Sequence, residues 1–304
     1  MTMDRVTAII ATRDRPEMLR QAVSAVLAQT YAGFIEVLVV FDQSDPDYSL
    51  AEESASRSVR VLTNGRKPGL AGARNSGIEA ATGEFIAFCD DDDLWLAHKI
   101  EAQVQVLADS PGTEFVTCDI TVSYDGQSHD RPLGKSWITF ADLLRDRHTE
   151  LHPSTFLMRR SAVLDGFGLV DEDVPGGFGE DYEFLLRVSR RGPIAHVRRV
   201  SAMVRWGSQS FFFRRWQTMC DGLSWILDKY PEFDTVPAGA ARIRGQLAFA
   251  HAAMGERRKA LRWAVSAAQR NPLEPRVPLA AAVACGIVTP ARVMEALHKR
   301  GRGI

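Results

Sequence analysis

Apolar residues keep two alternating spacings along the first third of this chain. VTAIIA, FIEVLVVFD, SVRVLTN and EFIAFCD are short continuous runs, rich in β-branched and aromatic residues, with the length of buried strands. Between the first two, PEMLRQAVSAVLAQ places Leu19, Ala22, Val23, Val26 and Leu27 on one helix face. An N-cap is expected there at Asp14, with Glu17 three residues on. GARNSGIEAAT reads as a short helix closed by Gly83, and HKIEAQVQVLAD as another. Strand and helix in alternation predict an α/β fold with a mostly parallel central sheet covered by helices. Ligands of such sheets lie beyond the carboxyl ends of the strands, where TRDR, DQSD and DDDD fall.

From about residue 112 the pattern is mixed. EFVTCDITVSY and IAHVRRVSAMVRW read as strands, TFADLLRD and EDYEFLLRVSRR as helices. After about residue 211 strand signals stop, and FFRRWQTMCDGLSWILDKY, AARIRGQLAFAHAAMG, ERRKALRWAVSAAQR and PARVMEALHKR are amphipathic helices. The expected division is a 1–210 α/β domain and a 211–304 helical region. Within the latter, LAFAHAAMGERRKALRWAVSAAQRNP resembles one helix-turn-helix unit of the tetratricopeptide kind, too little for a solenoid.

Composition narrows the function. At 304 residues and 45% hydrophobic content the chain can build a sizeable core. A net charge of -1 carries no polyanion signature, so nucleic acid is not an expected partner. Cys89, Cys118, Cys220 and Cys285 stand far apart without metal-ligand spacing, which implies neither zinc nor a disulfide framework and suits a reducing cytosol. The N-terminal MTMDRVTAII lacks a signal-peptide layout, and the longest apolar stretch, VPLAAAVACGIV, is too short to span a membrane.

Four consecutive aspartates in EFIAFCDDDDLW, Asp90 to Asp93, raise the central question, since like charges so close repel one another. A calcium loop does not fit, because Trp95 stands where such a loop needs glycine. An Asp-x-Asp phosphatase motif would sit on the first strand and be followed by Thr or Val, not Leu94. A solvated acidic turn is disfavoured by the apolar flanks on both sides. The remaining reading is a divalent-cation site that holds a nucleotide diphosphate.

VTAIIATRDRPEMLRQAVSAVLAQTY, EVLVVFDQSD and LTNGRKPGLAGARNSGIEAATGEFIAFCDDDDLW occur in the order and spacing of family 2 glycosyltransferases. The resemblance covers about residues 5–210. It implies a GT-A fold, a Rossmann-like nucleotide-diphospho-sugar transferase domain, and inverting sugar transfer from a nucleotide-diphosphate sugar with Mn²⁺ or Mg²⁺. Ala11, Thr12 and Arg13 match the loop that lines the base, with Arg13 replacing the usual aromatic. Asp42 matches the carboxylate that accepts the ring N–H of uracil or thymine, which implies a UDP- or dTDP-sugar. Arg74 matches an arginine near the donor diphosphate, and the glycines around it match a backbone that approaches the phosphates. Asp90 and Asp92 match the family's Asp-x-Asp, as metal-site residues with Asp92 a direct ligand and Asp90 also at the ribose. Asp91 falls within the same donor-binding set, while Asp93 reads as a cap for the helix that follows. Asp181 in GGFGEDYEFLLRVSRRG matches the general base, beside Glu180 and after Gly176, Gly177 and Gly179.

One position departs from the family. Where many relatives carry a histidine after the last strand, this chain has Trp206, Gly207 and Ser208, and His196 reads as structural. The expected protein is a cytoplasmic, metal-dependent glycosyltransferase of cell-envelope, polysaccharide or glycoconjugate synthesis, acting on a saccharide, lipid-linked or other hydroxyl acceptor. Its C-terminal helices are expected to contact a protein partner or the inner membrane surface. A sugar-1-phosphate nucleotidyltransferase and a non-catalytic sugar-nucleotide-binding module are the alternatives.

Overall fold

The computed structural model describes residues 4–124, 126–206 and 215–298. Two compact units emerge: residues 1–140, 148–172 and 180–207 form the first, and residues 141–147, 173–179 and 208–304 form the second.

In the first unit, β1 (Val6–Thr12) and β2 (Ile35–Phe41) are buried at every position, which is why both read as continuous apolar runs. Between them α1 (Pro16–Leu27) buries Leu19, Ala22, Val23 and Val26. The expected cap at Asp14 is not formed. Pro16 takes the first helical position, so Arg15 stands at the N-cap without a side-chain cap bond, and Asp14 turns into the left-handed region at φ 54°. The chain continues through β3 (Glu52–Glu53), β4 (Arg57–Thr63), α2 (Leu70–Ala80), β5 (Phe85–Phe88), β6 (Leu94–Trp95) and α3 (Lys99–Asp109). Then follow β7 (Phe115–Tyr124), β8 (Gln127–Arg131), β9 (Trp137–Ile138), α4 (Phe140–Arg145), which belongs to the second unit from Ala141 on, β10 (Leu157–Arg159), α5 (Arg160–Ala162), α6 (Glu180–Ser189) and β11 (Ile194–Arg205).

The strands join in one sheet of order β3-β4-β2-β1-β5-β10-β7-β11-β6, with β8 on β7 and β9 on β11. β4, β2, β1 and β5 run parallel, as do β7 and β11. β10 is inserted antiparallel between β5 and β7. From β1 the chain builds outward to β2 and β4 on one side, then returns to add β5 on the other. That reversal opens a crevice beyond the carboxyl ends of β1 and β5. Helix α2 lies close on this part of the sheet because Gly77 has no side chain; a Cβ there would stand 2.4 Å from Ile9 Cγ2.

The second unit is helical: α7 (Trp216–Lys229), α8 (Pro237–Ala253), α9 (Arg257–Arg270), α10 (Arg276–Ala284) and α11 (Pro290–His298). Helix α8 is buried along most of its length, and small residues allow close packing; a Cβ on Gly239 would stand 1.8 Å from the Leu144 carbonyl oxygen. α8 and α9 form a hairpin through Gly255, whose φ of 79° suits glycine. All of α10 after its first residue lies in the apolar VPLAAAVACGIV stretch, and no described helix is long and apolar enough to cross a membrane.

Candidate active site

The carboxyl ends of β4, β2, β1 and β5 gather the residues on which the sequence places the chemistry. After β2, the Asp42 N–H donates to the Thr12 carbonyl at 3.0 Å, which joins the first two loops. The Asp42 carboxylate accepts from Asn64 Nδ2 at 2.8 Å, Gln43 Nε2 at 2.9 Å and the Gly69 N–H at 3.0 Å. Burial opposes its charge, but these donors outweigh burial and hold its pKa below the ordinary carboxylate value. Of the first-loop residues, Ala11 is buried in β1 and Arg13 is exposed, its Nε 3.7 Å from the Asp14 carboxylate. Thr12 reaches the aspartate run and donates to Asp91 Oδ2 at 2.8 Å.

The four aspartates have separate surroundings. Asp93 is 1% exposed and accepts from the Ser154 hydroxyl at 2.6 Å and the Arg205 N–H at 3.1 Å. It does not cap the next helix: α3 starts only at Lys99, behind His98. Ser154 also accepts the Asp90 N–H at 2.9 Å, and its carbonyl takes the Trp95 indole N–H at 2.8 Å. Arg15 Nη1 pairs with Asp91 Oδ1 at 3.0 Å and Asp92 Oδ2 at 2.8 Å. Burial, then the charges of Asp93 and Asp90, push the Asp92 pKa up to about 7 despite Arg15.

A histidine outside the motifs joins this group. His152 Nδ1 lies 3.2 Å from Asp93 Oδ2 and its Nε2 lies 3.9 Å from Asp90 Oδ2. Burial disfavours the imidazolium, but Asp93 and Asp90 outweigh it and raise the His152 pKa to about 9. Asp90, Asp93 and His152 offer ligand atoms that all lie within 4.8 Å of one another. The only sequence signal for His152 is an imidazole before Pro153, at the start of a short 3-10 turn.

Arg74, buried on α2, joins the aspartate run to the start of α6. Its Nη2 donates to Asp90 Oδ1 at 2.6 Å and its Nη1 to Glu180 Oε1 at 3.1 Å. Burial disfavours the Asp90 charge, but Arg74 and His152 hold its pKa down. Burial and the neighbouring Asp181 push Glu180 up to about 7. Asp181 is 9% exposed, its Oδ1 accepting the Tyr182 N–H at 2.8 Å in the first turn of α6. Before it, Gly176, Gly177 and Gly179 all take positive φ, at 59°, 71° and 86°.

The glycines near Arg74 serve the fold at one clear point. A Cβ on Gly72 would stand 1.9 Å from the Lys67 carbonyl oxygen, so Gly72 lets the GRKPG loop lie on α2. Asn75 braces the next segment, donating to the Val170 carbonyl at 2.8 Å and to Glu172 at 2.7 Å. His196 has a structural setting, its Nε2 2.8 Å from Asp119 and its Nδ1 2.8 Å from Thr117 Oγ1. Gly207 and Ser208 lie outside the described residues.

Among the described residues, Arg15, Arg74 and His152 pair with Asp90, Asp91, Asp92, Asp93 and Glu180, so carboxylates cluster densely at this site. Carboxylate oxygens with one imidazole nitrogen suit Mn²⁺, and the oxygens alone suit Mg²⁺. The residues present fit such an ion.

A family model described as Glycosyl transferase family 2 matches residues 7–167. The UDP-Glc:alpha-D-GlcNAc-diphosphoundecaprenol beta-1,3-glucosyltransferase WfgD of Escherichia coli is 39% identical over 104 residues, 34% of this chain and 40% of WfgD. Putative glycosyltransferase EpsH of Bacillus subtilis is 30% identical over 141 residues, 45% of this chain and 40% of EpsH. These matches span less than half the length of either relative. Among solved structures, S. aureus TarS 1-349 in complex with UDP-GlcNAc aligns with a TM-score of 0.60 at 15% identity, over 98% of this chain and 92% of that one. The mannosyltransferase PcManGT of Pyrobaculum calidifontis, in complex with GDP-Man and Mn²⁺, aligns at 0.58 and 19% identity, over 95% and 82%. The likeness to both structures is one of fold, the GT-A arrangement expected above.

Proposed function

Because the chain belongs to glycosyl transferase family 2, we propose that it moves a sugar from a UDP- or dTDP-sugar to an acceptor hydroxyl, with inversion and with a divalent cation. The observation that carries this reading is the Arg74 bridge. By binding both Asp90 and Glu180, it ties the aspartate run to the residue next to Asp181, which supports the reading of Asp181 as the base. A single displacement needs such a juxtaposition of donor site and base.

Asp181 removes the proton from the acceptor hydroxyl as that oxygen attacks the anomeric carbon. The bond to the diphosphate breaks, and its electron pair leaves with the nucleoside diphosphate. Asp90 and Asp92 would hold Mn²⁺ or Mg²⁺, next to Asp93 and His152, whose ligand atoms gather with those of Asp90; such an ion would supply positive charge to neutralise the leaving diphosphate. Ala11, Thr12, Arg13 and Asp42 border the base, with Asp91 and Arg74 on the donor side of the same crevice. Asp42 accepts but cannot donate when ionised, so it favours a base with a ring N–H, uracil or thymine. The UDP-Glc in the name of WfgD agrees with that choice.

The acceptor is proposed to be lipid-linked, in the manner the name of WfgD prints, within envelope polysaccharide synthesis. The protein would then work in the cytoplasm at the inner face of the membrane. In support, α9 exposes Leu261 and Val265 beside Arg258 and Arg262, an apolar and cationic face that suits anionic headgroups.

The test is nucleotide release. Purified protein with Mn²⁺, a UDP-sugar and a diphospholipid-linked saccharide is expected to liberate UDP in proportion to extended product. Pyrophosphate chemistry with a nucleoside triphosphate would instead make it a nucleotidyltransferase, and donor binding without UDP release a silent binding module. Tighter binding of GDP- than of UDP- and dTDP-sugars would overturn the role given to Asp42.

A further inference from the structure

The tripeptide Asp14-Arg15-Pro16 fixes one cation where the aspartate run ends. Pro16 disfavours helical backbone at the residue before it, and Arg15 accordingly sits at φ -132°, ψ 55°. Asp14 adds a left-handed step at φ 54°, which its short polar side chain tolerates better than most. This local chain path returns the Arg15 side chain to the run 76 residues away in sequence. A single nitrogen, Nη1, meets Asp91 Oδ1 at 3.0 Å and Asp92 Oδ2 at 2.8 Å.

The partners of the other carboxylates make this contact distinctive. Asp90 is bound by Arg74, and Asp93 by Ser154, Arg205 and His152, all from elements packed into the site. Arg15 is about one-third exposed, on the first loop, and Asp92 is similarly accessible at 31%. Asp92 is also the carboxylate assigned above to the metal.

We infer that Arg15 is a resident counter-cation of Asp92, which a divalent ion must displace to bind, so that Arg15 sets the metal affinity of the donor-free protein. This rests on the metal-dependent reading of the site. Like charges repel one another at one carboxylate, so guanidinium and metal weaken each other's hold on Asp92. The donor diphosphate, carrying negative charge of its own, gives the released guanidinium a new partner and couples metal entry to donor entry. Arg15 is thus a positioning residue that makes the protein prefer metal and donor together over metal alone.

The experiment is Mn²⁺ titration of chelator-treated protein, followed by electron paramagnetic resonance of free Mn²⁺ and by calorimetry, with and without UDP. Arg15→Gln is expected to bind Mn²⁺ without nucleotide about ten- to a hundredfold more tightly than wild type, the loss of one charge-assisted contact converted to affinity. With UDP present, wild type should gain more Mn²⁺ affinity than the variant. Arg15→Lys, which keeps the charge, should stay close to wild type. Equal or weaker Mn²⁺ binding by Arg15→Gln without nucleotide overturns the inference while leaving the metal reading intact. Binding by the variant but not by wild type under either condition supports the role of Arg15 and removes the metal from the native reaction. Binding by neither protein overturns both. Thermal unfolding of each variant identifies a misfolded one, and Arg15→Ala then replaces Arg15→Gln in the same titration.

Discussion

Ser154 donates its hydroxyl hydrogen to Asp93 across 2.6 Å while accepting the Asp90 N–H at 2.9 Å, so one small side chain sets the shape of the aspartate run. Removing that hydroxyl leaves a partly buried backbone N–H without its acceptor and strips a donor from the buried Asp93 carboxylate. Ser154→Ala is expected to lower stability by about 1–3 kcal/mol. Urea unfolding of wild type and variant checks this, and equal midpoints would mean that the run keeps its shape without Ser154. Donor binding in Mn²⁺ should weaken in parallel, since Asp90 loses its anchor.

Glu36, at the other face of β2, predicts an acid-sensitive step. Its carboxylate accepts from Arg60 at 2.8 Å, Thr7 at 2.9 Å and the Thr82 hydroxyl at 2.9 Å. Burial alone would raise its pKa, but these donors, Arg60 first, bring it below the ordinary value. A folded pKa below the unfolded one means the contribution is full above the unfolded value of about 4.3 and lost as pH falls through the folded value. Arg60 is 46% exposed, so its ion pair is screened and most of the effect lies with the two threonines. Glu36→Gln should cost about 1–3 kcal/mol at pH 7. The gap from wild type should narrow steadily below about pH 4. Denaturant unfolding at a series of pH values tests this; a gap independent of pH would reject it.

Where burial on both faces of a strand dominates, the residue pattern is plain. β1, β2 and β5 are apolar at nearly every position because the parallel sheet is covered twice, and their order and helices follow from the alternation of spacings. The three-residue β10 has no such signature, since an antiparallel strand that short is decided by the neighbours it slots between. Helix α10 was hidden for a different reason: its alanines pack without a periodic contrast, and Pro278 stands within its first turn. In the site, the motif residues Thr12, Asp42, Arg74 and Asp90 are gathered by the strand ends, which local pattern locates well. His152 is brought to Asp93 from 59 residues away by the turn before β10, and nothing local marks that meeting. Asp14 has the residue type of a cap, but Pro16 fixes where the helix begins and leaves Arg15 at the N-cap.

Helix α9 bears on the proposed location. Ala260, Ala264 and Ala267 are buried on one side, whereas Arg258, Leu261, Arg262 and Val265 are exposed on the other. Leu261 is 52% and Val265 55% exposed. Arginines near an anionic bilayer contribute about 1 kcal/mol each. Arg258→Gln with Arg262→Gln is therefore expected to reduce sedimentation with phosphatidylglycerol-containing vesicles by about 30-fold in partition coefficient. Leu261→Ser with Val265→Ser should weaken it further, and phosphatidylcholine vesicles should bind little. Undiminished binding by the arginine variant, or no vesicle binding by wild type, would reject α9 as the contact.

Asp181 supplies the decisive test of chemistry. It stands in the first turn of α6, beside Glu180, which Arg74 holds against Asp90. A carboxylate that only removes a proton from the acceptor stabilises the transition state and not the donor complex, so its loss should appear in turnover rather than in donor affinity. Asp181→Asn keeps size and shape and is expected to bind UDP-sugar as wild type does, while transfer falls by about 10²- to 10⁴-fold. A structural role predicts the reverse profile. At a helix N-terminus, a carboxylate that only complements the dipole or accepts a local N–H would cost about 1 kcal/mol of stability and leave turnover unchanged. The two readings separate when nucleotide affinity, thermal stability and product formation are measured on one preparation of the variant. Glu180→Gln is the companion, because it alters the partner of Arg74 without removing the proposed base. If Asp181→Asn turns over normally and Glu180→Gln does not, the proton acceptor is Glu180, whose pKa of about 7 would suit it to the task.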